Sequence, residues 1–150
     1  MDNEILNPNL ENQIYKKGHL QLAAFFGGPL TTVYILAENY KQLGHPEKIK
    51  KTWIIGVCLC ILFFIAVFLL STRSATPNII VPLICILVGT AIMQTWQGAD
   101  IKQHVDSGGA VYSMWRALLI GIIGLVITMI FILFIVFLAM TFFGYSPKAE

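Results

Sequence analysis

Charge is what this chain has least of. Asp, Glu, Lys and Arg make up 12% of its 150 residues, and three stretches hold none of them: Trp53 to Thr72, Ser74 to Ala99 and Ala117 to Pro147. Pumps and proton-coupled carriers keep ionisable side chains inside their spans, so a transport relay of that kind finds no residues here. The net charge of +2 is spread thinly, which leaves no basic patch for a nucleic acid. Cysteine is scarce as well: Cys58, Cys60 and Cys85 all fall in apolar runs. On a helix the first two point about 200° apart, so they read as small packing residues and not as a disulfide or a metal pair. No His-Glu-x-x-His, Gly-x-Ser-x-Gly or phosphate-loop pattern occurs, and neither an enzyme nor a cofactor is expected. A short basic leader with a cleavage site is absent too, so the first hydrophobic segment is expected to stay in the protein.

What the chain does have is apolar surface. Hydrophobic residues make up 57% of it and its mean hydropathy is +0.75, which suits a lipid bilayer better than water. A hydrocarbon layer of about 30 Å is crossed by roughly 20 apolar residues, so each charge-free stretch can hold one helix, and Leu20 to Ala37 is a shorter fourth candidate. The expected fold is therefore an all-α integral membrane bundle of four transmembrane helices spanning 18–146. A polar tail or interfacial helix, 1–17, precedes it, with Leu6, Leu10 and Ile14 forming a weak stripe, and a short tail, 147–150, follows. Gly44-His45-Pro46 is read as the stop after the first helix. Asn78 is read as a cap for the third, which is expected to end near Gln97-Gly98. Gly108-Gly109 interrupts the longest polar connection, and the fourth helix is expected from Ala117 to about Phe143.

The first candidate is interrupted by Gly27-Gly28-Pro29. Proline removes the amide that would bond the carbonyl of Phe25, and in hydrocarbon that carbonyl needs a substitute donor such as Thr31 or Thr32. Ala23, Gly27 and Thr31 form one row of small residues, and Ala24, Gly28 and Thr32 form another; Gly121 and Gly124 give the fourth helix a patch of its own. Such rows let helix backbones approach closely. A kinked packing helix is the first reading, with a re-entrant hairpin or a discontinuous helix lining a transport site as alternatives. Lysine and arginine counts bear on the choice. If the first segment crosses, connections 38–52 and 98–116 carry six basic residues and the opposite side four. If it dips and returns, Lys16 and Lys17 change sides and the count becomes eight against two. Both counts place those connections in the cytoplasm. Trp53, Trp96, Trp115, Tyr40 and Tyr112 belong to the same interface, where amphipathic rings favour headgroups.

Phe26-Gly27-Gly28-Pro29-Leu30, Asn39-Tyr40-x-x-Leu43-Gly44 and His104-x-x-x-Gly108-Gly109 ahead of Trp115 resemble motifs of a group of small uncharacterised bacterial multi-pass membrane proteins. The resemblance covers about residues 15 to 120. It implies topology and a bacterial inner-membrane location, and no activity.

Two polar clusters stand out. Gln94 with Thr90, Thr95 and Gln97 makes the end of the third helix its most polar part, suited to bonding neighbouring helices or to lining a pore. His104 and Asp106, beside Gly108-Gly109, are the one acid-base pair at a glycine turn, but too few ligands accompany them for a metal site. The expected function is a non-enzymatic helix-packing component, whether assembly, scaffold or regulatory subunit. Its expected partners are the lipid bilayer and a second copy or another membrane protein. The alternative is a small channel or transporter formed by oligomerisation around the first helix and the polar end of the third.

Overall fold

The structure is a computed structural model that describes residues 12–71 and 80–143. The Leu6 and Leu10 positions, the Asn78 cap and the 147–150 tail lie outside the described residues. Four helices carry the described chain: α1 (Lys17–Gln42), α2 (Pro46–Ser71), α3 (Ile80–Asp106) and α4 (Met114–Phe143). The fold is all-α, and one isolated bridge between Ile14 and Val111 is the only β-type pairing among the described residues.

α1 is not a straight rod. Gly28 sits at φ +65°, ψ −152° within it, a combination accessible in practice only to glycine, and Pro29 starts the second arm where a missing amide costs least. A straight helix would set Tyr15 and Asn39 about 36 Å apart at 1.5 Å per residue. They are hydrogen-bonded instead, at 2.7 and 2.9 Å. The Thr31 hydroxyl likewise donates to the carbonyl of Ala23, eight residues back, at 3.1 Å. The helix therefore doubles back at Gly28 into a helical hairpin, with arms of about 16 and 21 Å. Of the readings of Gly27-Gly28-Pro29, the hairpin is the one the chain adopts, and the kinked single rod gives way to it.

The hairpin is the hub, and α2, α3 and α4 each make their main contacts with it. Its first arm runs alongside α4, where small residues meet. A methyl added to Gly27 would stand 2.8 Å from the Gly121 carbonyl oxygen, one added to Gly121 3.2 Å from the Ala23 Cα, and one added to Gly124 3.2 Å from the Gly27 Cα. The second arm lies between α2 and α3, where Gly56 faces Val33 and Gly89 faces Thr32. Small side chains bring the backbones close enough for extensive dispersion contact. Tyr15, Leu20, Ala23, Ala24, Ile35, Leu36, Met93 and Tyr112 form the core.

Three boundaries differ from the sequence reading. Residues 12–16 are extended, not helical: Ile14 N–H donates to the Ala110 carbonyl and Tyr112 N–H to the Ile14 carbonyl, and Ile14 and Tyr15 are fully buried. α3 continues through Gly98 to Asp106, since one interior glycine costs only about 1 kcal/mol. α4 begins at Met114, three residues early, because the Ser113 hydroxyl accepts the Trp115 amide at 3.2 Å and caps it.

By length and hydropathy, α1 and Met114–Phe142 each suffice to cross a membrane. Doubling back shortens α1 below that reach. Its apolar window is 56% buried and that of α4 only 6%, which separates a core element from one that faces outward.

The reversal gives a test of the fold. No atom lies within 4 Å of a methyl placed on Gly28, so Gly28→Ala would cost backbone strain alone, about 1–3 kcal/mol. Gly27→Ala, which is blocked by the α4 backbone, should destabilise by a comparable amount through separation of α1 from α4. Thermal unfolding of the purified protein, followed by circular dichroism, measures both; an unchanged Gly28→Ala midpoint would contradict the positive φ.

Candidate functional site

The two arms of α1 return to a common open end, where the polar groups of the described chain concentrate. Asn39 is fully buried there. Its carboxamide oxygen accepts the Tyr15 N–H at 2.7 Å, and its amide nitrogen donates to the Tyr15 carbonyl at 2.9 Å, so one side chain imitates a β-ladder partner for an extended residue. The same nitrogen donates to Gln97 Oε1 at 3.3 Å. Gln97, also fully buried, donates in turn to the Leu36 carbonyl at 2.7 Å. The N-terminal segment, the second arm and α3 are thus held by one set of amides. Every group in it has a partner, as burial requires.

An aromatic layer covers this clasp. The Tyr112 ring lies 4.3 Å from that of Tyr15, and the Arg116 guanidinium sits 4.1 Å above the Tyr112 ring. Arg116 Nε donates to the Tyr15 hydroxyl at 2.9 Å. The Tyr112 hydroxyl reaches the Glu38 carboxylate at 3.5 Å, which also accepts from Gln42 at 2.9 Å. Burial pushes the Tyr15 phenol up to about 12, against the opposing pull of Arg116. Tyr112 is raised for the same reason. Neither phenol is thereby a base near neutral pH.

The other predicted residues fall into place around this centre. Ala23 and Ala24 are buried, Thr31 and Thr32 cap the Gly28 carbonyl at 2.8 and 3.4 Å, and Gly27, Gly121 and Gly124 form the α1–α4 contact. The His104 ring lies against Gly109, where a methyl would collide with it, and its Nε2 is 3.2 Å from the Ala110 carbonyl. Gly108, at φ +81°, turns the chain. His104 and the two glycines therefore close the α3–α4 connection, while the exposed Asp106 lies apart from the imidazole's contact. Gln94 is exposed, whereas Gln97 carries the inward bonding. No group of three metal-ligating side chains occurs among the described residues. Cys60 and Cys85 are buried free thiols on the wall of an apolar cavity of about 330 Å³ between α2 and α3, floored by Pro29, Val33 and Leu36.

Sequence reasoning missed Tyr15, Asn39 and Arg116 as a unit. Asn39 carried the available signal, as a carboxamide two residues past the apolar Val33 to Ala37 run and inside one of the three motifs. No protein-family model, curated protein or solved structure matches the chain.

Two measurements probe the clasp. Asn39→Ala would orphan both backbone groups of Tyr15 and is expected to destabilise by about 1–3 kcal/mol per buried group left unpaired, whereas Asp106→Ala should leave unfolding unchanged. Tyr15 has its folded-state pKa raised from 10.0 to about 12, so the stability it contributes is complete below pH 10 and is lost as the pH rises toward 12. Ultraviolet titration of tyrosinate should show late phenols, with Tyr15 and Tyr112 later still in Arg116→Gln, which removes the group that lowers both.

Proposed function

We propose that this chain is an integral membrane protein in which α2, α3 and α4 cross the bilayer and α1 enters from one face as a re-entrant hairpin. Its work is non-enzymatic, as an assembly, scaffold or regulatory component of a bacterial cytoplasmic membrane. The observation that carries the reading is the meeting of residues 15 and 39, which brings Lys16, Lys17, Lys41, Lys48, Lys50, Lys51, Lys102 and Arg116 to one end of the bundle. By chain order alone, Arg73 and Lys148 fall to the connections left for the other side, which gives the eight-to-two count expected of a cytoplasmic face. Irregular backbone at membrane depth needs protein around it, and the Gly28 turn has α4 against it on the Gly27 and Thr31 side.

The outward faces support the medium. Leu119, Ile123, Ile130, Leu133, Phe134 and Phe137 of α4 are all more than half exposed, as suits side chains facing lipid or another helix. Because the small-residue rows of α1 are occupied within the chain, association with a second copy or another membrane protein falls to these outer surfaces. A channel around α1 has less support, since Asn39, Gln97 and the hydroxyls of Thr31 and Thr32 bond inward.

Sidedness labelling distinguishes dipping from crossing. Single cysteines at Asn12, Gln42 and Ser107 in a cysteine-free background should all react from the cytoplasmic side, and one within 72–79 from the other. Asn12 and Gln42 on opposite sides would end the re-entrant topology. For the assembly role, a photocrosslinker at Phe134 should recover a defined membrane-protein partner or a dimer from native membranes; monomer alone would contradict it.

A further inference from the structure

A second recess opens on the outer side of α3, apart from the clasp. It has a volume of about 360 Å³ and lies between the start of α1 and the last four turns of α3. Lys16, Lys17 and Lys102 line it together with the half-buried Ile101 and Val105, over the buried Met93. All three lysines are exposed, and none is in an ion pair among the described residues. Asp106, also in its lining, is the one carboxylate, so the recess carries a net charge of +2 from three lysines and one aspartate.

Gly98 lies on its floor. It is an interior helical glycine, normally a cost of about 0.5–1 kcal/mol relative to alanine, yet no atom lies within 4 Å of a methyl placed there. Neither helix packing nor an unusual φ accounts for it. What the missing side chain leaves is room between Gln94 and Lys102. Trp96, on the same stretch of α3, is 41% exposed and marks the headgroup level.

We infer that this recess binds the headgroup of an anionic phospholipid, the three ammonium groups holding the phosphate while the first acyl carbons run along Ile101 and over Gly98. The inference rests on the membrane reading above. Basic recesses between helices on the cytoplasmic side suit such headgroups. The apolar Ile101 in the same lining as the lysines distinguishes this ligand from free phosphate, which has no use for it, and from an acidic peptide, which would not reach into the lipid level.

The test compares lipid carried by the purified full chain in native mass spectrometry after exchange into mixtures of phosphatidylglycerol and phosphatidylcholine. Wild type should retain phosphatidylglycerol preferentially. Lys16→Gln with Lys102→Gln should lower that preference on the order of twentyfold, from about fivefold per lysine. Gly98→Leu should lower it with every charge intact, while Lys48→Gln with Lys50→Gln, away from the recess, should not. Unchanged helical content by circular dichroism shows that each variant is folded. A loss in the control pair equal to that in the recess pair would mean diffuse surface attraction and overturn the site. Competition by inorganic phosphate alone would assign it to a free anion and overturn the lipid. Protein that inserts into phosphatidylcholine bilayers but shows no lipid preference defeats this inference only; protein that does not insert defeats the membrane reading itself.

Discussion

Everything in this fold depends on a helix that reverses without leaving its backbone unpaired. A reversal inside an apolar bundle exposes peptide groups at two places, the turn and the open end, and neither has water to satisfy it. At the turn, the hydroxyls of Thr31 and Thr32 reach the Gly28 carbonyl, and Thr31 also reaches that of Ala23. At the open end, the Asn39 carboxamide serves both the donor and the acceptor of Tyr15. Remove either closure and the hairpin has no reason to stay folded back.

The second consequence is geometric. A hairpin at the centre of a small bundle must be approached from several sides at once, so every neighbour needs a place without a side chain. Gly121 and Gly124 provide it on α4, Gly89 on α3 and Gly56 on α2. Small-residue rows are commonly read as surfaces for joining separate chains. Here they join the chain to itself, because the second arm brings Thr31 back against the same α4 surface that the first arm meets through Ala23 and Gly27.

Much of this was legible in the residues, and what was hidden has one cause. Pro29 with two preceding glycines marks a break, Thr31 and Thr32 stand ready as donors, and the lysine count weighs toward a returning segment. Helix periodicity, however, reports only on neighbours within a turn or two. The bonds that decide the fold join Tyr15 to Asn39 and Asn39 to Gln97, 24 and 58 residues apart. Nothing local distinguishes Gln97, buried and bonded, from Gln94, three residues earlier and exposed. The extended segment 12–16 was obscured for the same reason, since its pairing partners are Ala110 and Tyr112. His104 was misleading in the opposite sense: next to a glycine pair it suggests chemistry, but its ring fills the space that Gly109 leaves.

The hairpin's length divides the molecule into unequal halves. On the membrane reading, arms of about 16 and 21 Å would reach roughly to the middle of a 30 Å hydrocarbon layer. In the half they occupy, polar closure, aromatic cover and glycine contacts make the bundle self-sufficient. Beyond Gly28 no hairpin separates α2, α3 and α4. The apolar cavity between α2 and α3 extends past Pro29 toward Phe63 and Ile84, and Phe64 meets Phe131 at 6.2 Å between ring centres. On the membrane reading, contact between proteins in that half rests on apolar shape alone, because α4 from Leu125 to Phe137 presents no charge and no carboxamide. The charged and carboxamide side chains gather instead at the open end of the hairpin, with Asn39, Gln97, Glu38 and Arg116.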